Sequence, residues 1–132
     1  MITVTIYTEK TYPVTKRTLS KRLADFFVAH GIKSTAEASV YIVSKETMLM
    51  YVKKHLQETG QEAAEHPVLS FVNAELEGPF QFPPDEILHL GEIIVSFDHA
   101  KVEAAQANKT PEECVIELAE HSALHLMGIH HD

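Results

Sequence analysis

Four of the nine histidines lie in the last twelve residues, His121-Ser122-Ala123-Leu124-His125-Leu126-Met127-Gly128-Ile129-His130-His131-Asp132. His121 and His125 stand at i and i+4, so on a helix their imidazoles share a face and can bind one metal ion from adjacent turns. Gly128 can adopt a positive φ and turn the chain out of the helix. His131 can then fold back towards the same ion, giving the pattern HxxxHxxGxxH. His130 is the alternative third ligand. His131 is preferred because its ten-residue offset from His121 suits the spacing of known three-histidine sites. Three neutral imidazoles around zinc leave one tetrahedral position for water or substrate. That arrangement lowers the pKa of a bound water from ~15.7 to ~7. The expectation is therefore one Zn2+ per chain on His121, His125 and His131, although copper, nickel and iron also accept such a set. The lone Cys114 excludes both an internal disulfide and a cysteine-rich zinc site.

A helix must carry the first two histidines. Thr110 is a natural N-cap, Pro111 suits N1, and Glu113 at N3 completes a capping box. The spacing predicts a helix from there to about Met127, ending at Gly128. Cys114, Leu118, His121 and His125 share one face of it, so the histidines should extend a buried stripe. Upstream, Ile2, Val4 and Ile6 alternate with polar residues as in a half-buried strand. Leu19, Leu23, Phe26 and Phe27 carry helical spacing between Val14 and His30, with Gly31 as the stop. Residues 38–43 read as a strand. Ser44 should cap a helix from Lys45 to about Thr59. Residues 68–72 and 92–97 read as strands, and 98–107 as a helix. The Gly- and Pro-rich stretch 77–85 reads as a loop. The order is β, α, β, α, β, β, α, α, without repeat or linker. It implies a single domain over residues 1–132, α/β or α+β in class, with one sheet of about four strands and helices packed on it.

Apolar residues make up 45% of the chain and charged residues 23%, the composition of a globular protein. No run approaches the ~20 apolar residues of a membrane span. The N-terminus reads as a first strand and not as a signal peptide. A cytoplasmic location without a membrane partner follows as the default. The net charge of −8 argues against non-specific nucleic-acid binding. Lys10, Lys16, Arg17, Lys21 and Arg22 nevertheless form a local basic group, with Lys53 and Lys54 further on.

Zinc proteases share the spacing HExxHxxGxxH, but there a Glu follows the first His as general base. Here Ser122 occupies that position, and a hydroxyl cannot do a carboxylate's proton transfer near neutral pH. The segment HSALHLMGIHH instead resembles the HGxLHLxGYDH signature of the YbeY family of metal-dependent endoribonucleases. Val68-Leu69-Ser70-Phe71 resembles that family's TDVLSFP strand. Residues 90–96, LGEIIVS, resemble its LGDIxIS strand. The three blocks keep their order and spacing.

The resemblance implies a YbeY-like metal-dependent hydrolase fold, an α+β domain with a central mixed sheet of about four strands and helices packed on it, with His121, His125 and His131 as ligands. It implies cleavage of single-stranded RNA, precursors of ribosomal RNA as substrates, and work alongside the ribosome or its proteins. It does not set an oligomeric state. Several positions depart from the family pattern. Ser122 replaces Gly, His130 replaces Asp, and His66-Pro67 replaces TD. Val72 replaces Pro, and Met50 replaces Asn. Lys54 stands where the family has an arginine that contacts RNA or developing charge, and it keeps the charge without the bidentate grip. Lys54 is the candidate to stabilise charge on a phosphoryl group. His130, His66 and a carboxylate from residues 75–86 remain open as general base. Phe80 or Phe82 could stack on a base. Two other readings stand beside this one: a different metallohydrolase on the same cage, and a non-enzymatic ribosome-assembly factor with a structural metal.

Overall fold

The computed structural model describes residues 1–55, 66–72 and 87–128. Its elements are β1 (Ile2–Thr8), α1 (Lys16–Ala29), β2 (Ala36–Val43), α2 (Lys45–His55), β3 (Val68–Val72), β4 (Leu88–Ser96), α3 (Phe97–Ala107) and α4 (Pro111–Leu126). The strands form one sheet in the order β1-β2-β4-β3. β1 and β2 pair in parallel, as do β2 and β4, whereas β3 runs antiparallel to β4 at the edge. The expected α+β class with a four-stranded mixed sheet is what the chain adopts.

Alternation along the strands sends side chains to two separate cores. Val4, Ile6, Val40, Ile42, Ile93 and Val95 face α1, α3 and α4 in the larger core, together with Phe27, Val115, Ala119 and Leu126. Among the described residues the other face meets α2, through Val43, Met48, Val52, Leu69 and Ile94. β1 extends beyond that cover, so Tyr7 stays 48% exposed and stacks on Tyr41 with ring centroids 4.9 Å apart.

Local chemistry ends the elements close to where the sequence places the breaks. α1 stops at His30, and Gly31 follows at φ 102°, a conformation that favours glycine. Ser44 caps α2 by accepting a bond from the Thr47 N–H at 3.2 Å, as a serine at that position should. Two carboxylates from other elements also grip this helix start. Glu9 accepts from the Ser44 N–H at 2.8 Å and from the Thr47 hydroxyl, while Asp98 accepts from the Lys45 N–H at 2.8 Å.

Three boundaries differ from expectation, the first being β2, which begins at Ala36 rather than 38 because Ala36 and Glu37 already pair with Ile2 and Thr3 of β1. β4 begins at Leu88 rather than Glu92, because the ladder with β2 continues past an irregularity at Glu37/Ala38, with Gly91 at φ 136°. Such a bulge bends a strand without ending it. Phe97 opens α3 rather than closing β4, because the Ser96 side chain accepts from the His99 N–H and caps the helix one residue earlier. The expected end of α2 near Thr59 and the loop at 77–85 lie outside the described residues. Among the described residues, no helix is long and apolar enough to cross a membrane.

Candidate metal centre

α4 carries the described part of the site, and its start is fixed as its sequence requires. The Thr110 side chain accepts from the Glu113 N–H at 3.1 Å. Glu113 accepts in return from the Thr110 N–H at 3.2 Å, which closes the capping box. Two donors hold the Glu113 carboxyl below its usual range, first the Thr110 N–H and then the Thr110 hydroxyl, which donates to it at 3.0 Å. Glu112 also accepts from the Thr15 N–H, tying the start of α4 to the start of α1. At the other end, Gly128 has φ 78°. This is the turn that the sequence calls for after the second histidine.

The helix seats itself on branched side chains at its two ends and on small ones between them. Cys114, Val115, Ile116, Ala119, Ser122, Ala123 and Leu126 are buried. This corrects the expected stripe. Cys114 is buried in it, but His121 is exposed and His125 only half-buried. The buried face turns through Ala119, Ser122 and Ala123 and leaves both imidazoles at its margin. A margin position suits a ligand better, because an ion there can also meet solvent or substrate.

The two rings lie 5.2 Å apart, centroid to centroid, with their planes at 76°. An imidazole centroid sits about 3.2 Å from a zinc bound by one of its nitrogens, and two such rings at a tetrahedral angle lie about 5.2 Å apart. The observed centroid separation equals that distance. Among the described residues no group of three metal-binding side chains is assembled. His131, the expected third ligand, lies outside them, as do His130, Phe80, Phe82 and the carboxylates of residues 75–86.

Ser122, where the zinc proteases have their Glu, is 1% exposed. Its hydroxyl meets the Ser70 hydroxyl of β3, and the Ser70 hydroxyl also reaches the Ser122 carbonyl at 3.4 Å. The Ser122 hydroxyl is thus engaged in the helix–strand contact. Sequence reasoning missed this pairing, because nothing in the order of residues shows which strand α4 will lie against.

Lys54 is exposed near the end of α2, which covers the opposite face of the sheet from α4. It lines an open groove of about 620 Å³ with Thr47, Met50, Tyr51 and Lys53. The next residue, His55, stacks on Tyr51 at 6.0 Å and meets the edge of Phe71 on β3 at 5.0 Å. On the edge strand β3, Phe71 packs on the α2 side of the sheet and Ser70 meets α4. The structure brings His121 and His125 together and sets Lys54 apart from them.

A family model described as endoribonuclease YbeY matches residues 4–132. The chain belongs to the YbeY family. Among its relatives, endoribonuclease YbeY of Dehalococcoides mccartyi strain BAV1 is 30% identical over 127 residues, which cover 89% of this chain and 76% of that protein. The protein of the same name from strain CBDB1 is also 30% identical over 127 residues, covering 89% and 73%. That of strain 195 is 40% identical over 52 residues, which are 39% of this chain and 30% of the relative.

Proposed function

We propose that this protein is a zinc-dependent endoribonuclease that cleaves single-stranded RNA during ribosomal RNA maturation, in the cytoplasm and in company with the ribosome or its proteins. Membership of the YbeY endoribonuclease family carries this reading. The spacing of His121 and His125 supports its metal requirement.

In this reading His121 and His125, with His131, hold one Zn2+. When bound, zinc supplies Lewis acidity at a phosphoryl oxygen and makes a coordinated water more acidic. The chain's own residues do the rest. The helix holds the two imidazoles at a fixed separation, so little ordering is left for metal binding. β3 walls the site on one side. Lys54, in the groove on the α2 side of the sheet, provides positive charge for RNA phosphate. Its place on that face suits a phosphate further along the RNA better than the reacting one. Ser122 is unavailable as a base, which disfavours peptide hydrolysis.

The test is cleavage of unstructured and duplex RNA by zinc-loaded protein, beside His125→Ala. The reading expects cleavage of the unstructured RNA alone, abolished by the substitution and by chelation. Bound zinc with no cleavage of either RNA would overturn it and favour a non-enzymatic assembly factor. Chelator-sensitive cleavage of a peptide library would favour another hydrolase.

A further inference from the structure

Three polar residues are buried among the described ones: Ser44, Ser96 and Ser122. Two have an evident task, since Ser44 and Ser96 cap α2 and α3. Ser122 lies well inside α4 and caps nothing. Its hydroxyl meets that of Ser70, and both oxygens of Ser122, hydroxyl and carbonyl, stand within reach of the Ser70 hydroxyl.

The surroundings give this pair its meaning. Ala119 and Ala123 are fully buried beside Ser122. Val115, Ile116 and Leu126 anchor the rest of the helix, but the small side chains of this turn, next to the histidines, interdigitate little and define its local rotation weakly. A hydroxyl pair in an apolar seat is directional. Sliding or turning the helix would take the partner from the buried Ser122 hydroxyl, which apolar surroundings penalise. Ser122 follows His121 directly and precedes His125 by three residues. Each residue turns the helix by about 100°, so fixing the azimuth of Ser122 fixes where both imidazoles point.

We infer that the Ser70–Ser122 hydroxyl pair is a positioning device for the metal ligands, locking α4 in rotation and register on the edge strand so that His121 and His125 present one aligned pair to the ion. The inference rests on the zinc reading above. Neither serine touches the ion; both act through the helix. Groups that orient metal ligands from behind typically change affinity about 10–100-fold when removed.

The experiment is a double-mutant cycle of Ser70→Ala and Ser122→Ala, read by zinc affinity in chelator competition and by the visible spectrum of the cobalt-substituted protein. Thermal unfolding is followed alongside. Ser20→Ala is the control, because the Ser20 hydroxyl donates to the Val4 carbonyl at 2.6 Å and so ties α1 to β1 without involving α4. Each single substitution should weaken zinc binding about tenfold and alter the cobalt spectrum. The double substitution should be no worse than the weaker single one, and Ser20→Ala should leave affinity unchanged. Affinities within twofold of wild type, losses that multiply in the double variant, or an equal loss in Ser20→Ala would overturn the inference while leaving the zinc reading intact. A wild type that takes up no zinc would remove both. If Ser122→Ala does not fold, Ser70→Ala on the edge strand decides between these outcomes.

Discussion

Shortening Val52 to alanine should separate the two faces of the sheet. Val52 is fully buried in the small cluster that holds α2 against Val43, Leu69 and Ile94. The substitution removes two methyl groups, at about 0.8 kcal/mol each, and leaves a cavity, so the expected cost is about 2–3 kcal/mol. With an unfolding entropy of about 280 cal/mol/K for a chain of this length, that corresponds to a fall in Tm of about 7–11 °C. Val115→Ala is the matched partner: the same side chain, equally buried, but on α4 in the larger core. The two variants should lose comparable stability by thermal unfolding. Only Val52→Ala should also weaken binding of a short single-stranded RNA several-fold, because α2 carries Lys54 and its groove. Zinc affinity of Val52→Ala should stay within twofold of wild type, since the histidines stand on the other face. A fall below about 2 °C would mean that the small cluster does not hold α2. Loss of zinc and RNA binding in parallel would mean that the faces do not act separately.

Other perturbations have equally definite outcomes. Thr110→Ala removes the N-cap of the ligand helix and should cost about 1 kcal/mol in denaturant unfolding, with zinc affinity unchanged. Gly128→Ala meets no atom within 4 Å but must hold φ near 78°. Its cost should therefore be conformational, about 1 kcal/mol, and zinc binding should weaken if His131 depends on that turn. The Glu9 carboxyl is held below its usual range, chiefly by the Thr47 hydroxyl and then by the Ser44 N–H. Its stabilisation is therefore present above the ordinary carboxylate value of 4.5 and is lost as pH falls through the lowered one. Glu9→Gln should be less stable than wild type at neutral pH, and the gap should close on acidification; a gap independent of pH would assign the effect to packing.

The sequence shows much of this fold because several of its signals are local. Alternation in residues 2–6 places β1, and Thr110, Pro111 and Glu113 fix the start of α4 to the residue. The histidine spacing and Gly128 mark the site from residue types and intervals alone. What the sequence hides is non-local. Glu9 and Asp98 look like ordinary surface acids, yet they grip the start of α2 from residues far away in the chain. Gly91 looks like a break, but the ladder with β2 runs through it. The outward turn of His121 depends on which side of α4 the sheet selects. Cys114 and Leu118 suggest one stripe, while the buried Ala119, Ser122 and Ala123 define another. Small residues carry little hydrophobic signal, so the true seat of the helix is the faint one.

Cys114 is the chain's only thiol, and it lies buried on the helix that carries His121 and His125. Burial pushes its pKa up, and the nearby Glu103 and Glu117 add to the effect. A thiol reagent must therefore wait for the packing around this part of α4 to open before it can react. The labelling rate of the unaltered protein then reports the opening equilibrium of that one helix. An ion bound at the histidines would slow the labelling by the factor with which it favours the closed helix. The cysteine thus works as an internal clock on the site, readable without substituting a residue or supplying a substrate.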